Sequence, residues 1–171
     1  MLSDSHDNFP ELLRAVEALC KRNVELIAHA GDVIAPGMAY AFAGCGVEVK
    51  LVFGNNDGDR KELERNFAKV GGECLGDFGE IRAGGLRIAL LHGIHEPIVR
   101  ALVDSGDYDV VIRGHDHHVR VERGKTLLIN PGEVWGFFTG QRSAAVLDTD
   151  TLEVEIIDLG RAKSIREMIA P

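Results

Sequence analysis

Asp109-Val110-Val111-Ile112-Arg113-Gly114-His115-Asp116-His117 joins a short apolar run of buried-strand type to a pair of imidazoles beside a glycine. The paired histidines have metal-ligand spacing and no packing role that the sequence suggests. Three other runs of the same type also end in polar donors. Leu26 to Ala30 leads into Gly31-Asp32, Glu48 to Phe53 into Gly54-Asn55-Asn56-Asp57, and Leu86 to Leu91 into His92-Gly93. In open α/β sheets ligands bind beyond the carboxyl ends of strands, so donors that follow successive strands converge although distant in sequence.

Between these strands, Pro10 to Arg22 carries apolar residues at helical spacing, with Pro10 suited to a first turn. Lys61 to Val70 and Glu96 to Val103 read as further helices. The second half changes character: Val119 to Arg123, Thr126 to Ile129, Arg142 to Leu147 and Leu152 to Leu159 read as antiparallel strands, with a hairpin turn near Gly124. Ala162 to Ala170 reads as a short terminal helix. The expected class is α/β, a pair of mixed sheets flanked by helices. No repeat or linker divides the 171 residues, and a 45% hydrophobic composition suits one sizeable core, so residues 1–171 are read as a single domain. Twenty glycines against five prolines fit many tight loops rather than a helical bundle.

A formal charge of -8 argues against a basic face for a nucleic-acid duplex or an anionic membrane, but not against a small phosphorylated substrate. No run is long and apolar enough to span a membrane, and no targeting segment is visible, so the expected location is cytoplasmic. Cys20, Cys45 and Cys74 are odd in number and lack paired spacing, so reduced buried thiols are expected rather than a disulfide.

The donors Asp4, His6, Asp32, Asn55, His92, His115 and His117 outnumber what one metal needs, whereas two metals sharing a bridging carboxylate use such a set. Asp4 and His6, two residues apart, face the same way on an extended segment at roughly 6.5 Å, suited to one cation. Each also has a plainer reading. Asp-x-His occurs in surface loops, Gly31-Asp32 serves as a turn or helix cap, Gly54-Asn55-Asn56-Asp57 is a good turn, and a lone His92 after an apolar run is commonly a hydrogen-bonded core residue. A neutral amide oxygen such as that of Asn55 is nevertheless an acceptable donor to a hard cation. With only Asp4 and Asp32 as formal carboxylates, two bound dications would leave the site positive whatever the surface carries.

The order Asp4-Ser5-His6, Gly31-Asp32, Gly54-Asn55-Asn56-Asp57, His92, Gly114-His115-Asp116-His117 resembles the calcineurin-like metallophosphoesterase superfamily. The likeness is greatest to its small single-domain bacterial and archaeal phosphodiesterases, through His29-Ala30-Gly31-Asp32, Leu91-His92-Gly93 and Asn130-Pro131-Gly132, and covers about residues 3 to 158. The resemblance implies a four-layer αββα sandwich and a dinuclear metal-dependent phosphoesterase. Asp4, His6 and His117 would hold one metal, Asn55, His92 and His115 the other, and Asp32 would bridge them. Manganese is the first expectation, and magnesium, iron, nickel or zinc also suit mixed N/O ligands. Two cations about 3.5 to 4 Å apart would lower the pKa of a bridging water, whose hydroxide attacks phosphorus in line. Asp32 and Asn55 would be catalytic, Asn55 orienting a phosphoryl oxygen, with Asn55, Asn56 and His95 contacting substrate.

Departures from the family pattern set further expectations. Asn56 stands where many members carry a histidine that protonates the leaving group, which an amide cannot do, so slow turnover and a preference for good leaving groups are expected. His95 and His118 are candidate substitutes, and Ile94 occupies a place where relatives often have histidine. Asp116 replaces a threonine and Glu133 a serine, adding negative charge near an anion site. Only Met1 and Leu2 precede Ser3, so either the start lies upstream or the first strand is stunted, which would loosen Asp4 and His6. The Gly124-Lys125-Thr126 and Asn55 to Arg60 stretches fail as phosphate and calcium loops. A rival class is a non-catalytic protein-binding platform, as in the retromer scaffold subunit of similar fold. Trp135, Phe137 and Phe138 would then form a partner or homodimer surface, and otherwise a lid over the metals or core packing.

Overall fold

The computed structural model describes residues 1–169. Its layers follow from strands whose alternate residues enter different apolar clusters. β1 (Leu26–His29), β2 (Glu48–Leu51) and β3 (Gly72–Cys74) pair in parallel, while β9 (Gln141–Leu147) and β10 (Val154–Arg161) pair antiparallel. A third, five-stranded sheet runs β4 (Phe78–Ala83), β5 (Leu86–Leu91), β6 (Val110–Ile112), β8 (Leu127–Pro131), β7 (Val119–Glu122) and lies across from the other two, which share one layer. Ile27, Val49, Leu51 and Ala144 pack with Leu12, Leu19 and Phe67 of α1 (Phe9–Cys20) and α2 (Arg60–Lys69). Ala28 and Ala145 instead face Ile88, Leu90, Val110, Ile112, Leu127 and Ile129 across the space between the sheets. Ala89, Val111 and Leu128, one residue out of phase, pack against Val99 of α3 (Glu96–Ser105). The order is therefore helices, sheet, sheet, helix. A one-residue slip would exchange the clusters, each fully buried Leu or Ile being worth roughly 1.5–3 kcal/mol, so register is firmly set.

The helices begin and end where their sequences dictate. α1 buries Leu12, Ala15, Val16 and Leu19 on one stripe behind a proline in the first turn. Asp59 caps α2 by accepting from the Glu62 amide at 3.2 Å. Gly106 ends α3 in the left-handed conformation at φ 65°. A 3-10 turn spans Pro36–Phe42, and α4 covers Ile165–Ile169, with Ala170 of the expected terminal helix lying outside the described residues. β3, β4 and the 3-10 turn were not anticipated. The expected hairpin near Gly124 joins β7 and β8, but β8 also pairs in parallel with β6, which makes this sheet mixed.

Two expectations need correction. Cys20 and Cys45 are not reduced thiols: they form a disulfide with Cα atoms 6.4 Å apart, closing 25 residues of chain, while Cys74 is free. Packing of the end of α1 against the 3-10 turn brings them together, a proximity that spacing does not reveal. Nor are Asp4 and His6 loosely held. Leu2 pairs with His29 in parallel, and Met1 exchanges hydrogen bonds with Ala145 of β9, its ammonium donating at 2.7 Å. The contacts continue through the motif: the amides of Asp4, His6 and Asp7 donate to the carbonyls of Gly31, Asp32 and Val33 at 3.0, 3.0 and 3.2 Å. From the other side, the amides of Val134 and Trp135 donate to Ser3 and Asp4, both at 3.0 Å. The opening segment is thus stitched between β1 and β9.

Candidate metal centre

Asp32, His92 and the His115/His117 pair follow β1, β5 and β6 at their carboxyl ends, and Asp4 and His6 lie alongside Asp32 in the stitched segment. The backbone is bent to present them. Asp4, His6, Asp32, His115 and His117 have φ of 53°, 40°, 58°, 74° and 64°. A side-chain-bearing residue in this region costs roughly 1–2 kcal/mol, so five such residues among the donors mark strain concentrated at one site.

Neighbouring groups use up the outward atoms of the donors. Asp4 Oδ2 accepts from Ser3 Oγ at 2.6 Å and the His115 amide at 3.0 Å, and Asp32 Oδ1 accepts from the Asn56 amide at 2.8 Å. His92 Nδ1 donates to the Ala30 carbonyl at 2.7 Å, and His117 Nδ1 lies 2.8 Å from Glu133 Oε2. Asp57 braces two loops by accepting from the amides of Asp32, Ile34 and Gly54 at 3.0, 2.7 and 2.7 Å. Left without hydrogen-bond partners are the buried atoms Asp4 Oδ1, His6 Nε2 and His92 Nε2. These atoms share one space. Asp32 Oδ2 is 3.6 Å from His6 Nε2 and 3.3 Å from His92 Nε2, while Asp4 Oδ1 is 3.8 Å from His6 Nε2 and 3.4 Å from His117 Nε2. Buried polar atoms left unsatisfied in this way are costly unless a cation completes them.

A sequence model described as the calcineurin-like phosphoesterase superfamily domain matches residues 1–152. The chain belongs to the calcineurin-like phosphoesterase superfamily. It is 34% identical over 161 residues to a curated phosphodiesterase of Methanocaldococcus jannaschii, across 93% of this chain and 97% of that one. A solved structure described as a novel archaeal phosphodiesterase superposes with a TM-score of 0.88 at 32% identity, covering 92% of this chain and 96% of that one. Vps29 of Entamoeba histolytica, at 18% identity and a TM-score of 0.66 over 92% of this chain and 96% of that one, shares the fold alone.

In this member of the superfamily the donor atoms form two overlapping groups, Asp4–His6–His117 and Asp4–Asp32–His92, with all atoms of each within 4.8 Å of one another. The carboxylate and imidazole donors suit divalent transition metals. Asp4 belongs to both groups, and Asp32 Oδ2 reaches histidines of both, so each carboxylate is central. His115 stands beside His92 with ring centroids 5.1 Å apart. Asn55 is exposed at its loop tip, and it is Asn56 whose side-chain amide donates to Asp32 Oδ2 at 2.7 Å. His95 is exposed before α3, and exposed His118 bonds back to the Asp116 carbonyl through Nδ1. Trp135 and Phe138 stand beside the site, their rings 4.8 Å from those of His6 and His117 respectively, while the Phe138 side chain remains exposed. A cavity of about 400 Å³ lies elsewhere, at the amino end of β1 among Leu26, Ala28, Ile81 and Ala145, and holds none of the donors.

The negative charges added by Asp116 and Glu133 are both engaged. Arg113 Nη1 lies 3.1 Å from Asp116 Oδ2, Asn130 Nδ2 donates to Asp116 Oδ1 at 2.7 Å, and Arg113 Nη2 donates to the Gly93 carbonyl at 3.0 Å. Arg113 thereby links the loop after His92 to the loop between His115 and His117, a role that a strand-end arginine did not announce. Burial opposes ionisation of Asp32, but contact with His92 and the Asn56 bonds outweigh it and hold the carboxyl well below its usual range. Burial likewise opposes charge on His92 and His117, yet Asp32 beside the first and Glu133 beside the second raise both. Burial and the neighbouring His92 lower His115.

His29, which sequence reading used only as a family cue, supports the donor loops. Its Nδ1 accepts from the Gly31 amide at 3.2 Å, leaving Nε2–H to donate to Ser5 Oγ at 3.2 Å. Burial pushes its pKa down to about 3. The unfolded chain takes up this proton below about 6.5 and the folded chain does not, so the contribution is complete above that pH and is lost as pH falls through the window between the two values. Relative to wild type, metal-free His29→Gln is expected to show a flatter decline in urea-unfolding free energy below pH 6.5, by about 1.4 kcal/mol per pH unit. Parallel declines in the two proteins would remove His29 as the source.

Proposed function

We propose that this metal-dependent phosphoester hydrolase is a phosphodiesterase that uses two divalent cations, manganese first among those its N/O donors suit, on a small phosphodiester. The observation that carries the reading is that three of the partnerless buried atoms among the described residues, Asp4 Oδ1, His6 Nε2 and His92 Nε2, gather around Asp32. The names of the M. jannaschii relative and the archaeal structure favour a diester over a monoester. We assign Asp4, His6 and His117 to one cation, His92, His115 and Asn55 to the other, and Asp32 to both. When bound, the cations supply an ionised water for in-line attack and take up phosphoryl charge. Asp32 is held ionised to receive them, and the Nδ1 contacts of His92 and His117 leave the Nε2 lone pairs facing inward. Asn55, Asn56 and His95, exposed on the loops that follow β2 and β5, are the groups we assign to substrate. Asn56 cannot protonate a leaving group, so esters of acidic alcohols are the favoured substrates.

We place the protein in the cytoplasm as a single domain acting alone or as a homodimer; no helix among the described residues is long and apolar enough to cross a membrane. The test is hydrolysis of an aryl phosphodiester and an aryl phosphomonoester by metal-stripped protein reconstituted with manganese. Metal-dependent turnover with the diester preferred is expected. Manganese bound without turnover of either ester would replace this reading with the protein-binding platform. Because His92 and His117 are raised, protons compete with metal near neutrality, and manganese uptake is expected to weaken as pH falls.

A further inference from the structure

We propose that Glu133 is a positioning residue that makes one of the two metal positions the tighter, the one bounded by Asp4, His6 and His117. The inference rests on the metal reading above and assigns unequal roles within it. Glu133 is fully buried in the loop that follows β8. Its Oε2 sits 2.8 Å from His117 Nδ1, and its Oε1 accepts from the amide and hydroxyl of Thr139 at 2.6 and 2.7 Å. The main chain is pinned too, because the Ser143 amide donates to the Glu133 carbonyl at 2.9 Å. A carboxylate fixed in this way fixes the imidazole: Nδ1 carries the proton, and Nε2 keeps its lone pair toward Asp4 Oδ1, 3.4 Å away. It also places a formal negative charge directly behind one ligand, which makes that ligand the better donor.

The other position has no such support on its buried ligand. His92 Nδ1 donates to a neutral acceptor, the Ala30 carbonyl. Glu133 further ties the neighbouring aromatic residues to the same side. The Thr139 bonds hold the loop that carries Phe138, whose ring lies 4.8 Å from His117, and Trp135 lies 4.8 Å from His6. The charge that Glu133 places behind His117 favours retention of the ion there.

Calorimetric titration of metal-stripped wild type, Glu133→Gln and Thr139→Val with Mn²⁺ tests this, together with long-range ¹H–¹⁵N NMR of the metal-free imidazoles. Wild type is expected to bind two ions with unequal affinity. Glu133→Gln should weaken the tighter one by roughly 10- to 100-fold and leave the weaker unchanged, while His117 changes from one tautomer to a mixture. Thr139→Val, which keeps the carboxylate but removes one of its anchors, should move the same affinity in the same direction by less. Undiminished tight binding in Glu133→Gln, or an equal loss at both positions with the His117 tautomer unchanged, overturns the proposal. Wild-type protein that takes up no Mn²⁺ overturns the metal reading and this proposal with it.

Discussion

Asp32→Ala is expected to lower metal-dependent turnover of an aryl phosphodiester by on the order of 10³-fold and to abolish uptake of at least one Mn²⁺ per chain. Asp32 Oδ2 faces His6 Nε2 at 3.6 Å and His92 Nε2 at 3.3 Å, so it is placed to neutralise cations on both sides. Its removal also strands Asn56, whose amide and side chain both donate to it. The fold should survive, because the carboxylate belongs to no apolar cluster. Asp32→Asn separates charge from shape. It keeps an oxygen for one of the two Asn56 bonds and tolerates the φ of 58° better than alanine, so it should retain more stability than alanine while still losing metal. Measured Mn²⁺ stoichiometry and turnover equal to wild type in Asp32→Ala would sink the assignment of Asp32 to both ions.

Sequence made the junctions between strands and donors legible because two signals coincide there: a short apolar run and a glycine-rich polar turn. β5 has the expected bounds, Leu86–Leu91, and α2 and α3 lie within two residues of expectation. β4 escaped because its outward residues are Phe78, Glu80 and Arg82 while its inward ones include Gly79, so only Ile81 gives the sheet-facing side a large apolar residue. The Gly84-Gly85 pair between alternating residues was a usable hairpin signal. Which of Asn55 and Asn56 turns toward Asp32 depends on loop geometry that composition does not encode. The Cys20–Cys45 bond depends on helix packing, and the Glu133–His117 contact joins residues 16 apart at the open end of the β7–β8 hairpin, just beyond the Val119–Pro131 pair. An acid among Pro131, Gly132, Val134 and Trp135 was nevertheless a hint, since a carboxylate buried among such residues requires a partner.

Gly31→Ala is expected to cost roughly 2–5 kcal/mol and to remove metal binding as well, the sum of a left-handed backbone penalty and overpacking. Gly31 has φ +94°, and a Cβ there would meet Gly54 N at 2.7 Å, His92 Nδ1 at 2.9 Å and Gly54 Cα at 3.0 Å. None of these can yield cheaply. Gly54 N is backbone and donates to Asp57 Oδ2 at 2.7 Å, while His92 Nδ1 is held to the Ala30 carbonyl at 2.7 Å. Retreat of the first breaks the Asp57 brace on Asp32, and retreat of the second turns the inward Nε2 of His92. A melting-temperature loss of about 4–20 °C follows for a chain of this size. Gly44→Ala supplies the control, because Gly44 has φ +78° with nothing within 4 Å of the added Cβ. It should lose only the backbone share, about 1–2 kcal/mol, and bind metal as wild type does. Equal melting temperatures and equal Mn²⁺ uptake in the two variants would mean that the close approach of the loops after β1, β2 and β5 does not shape the site.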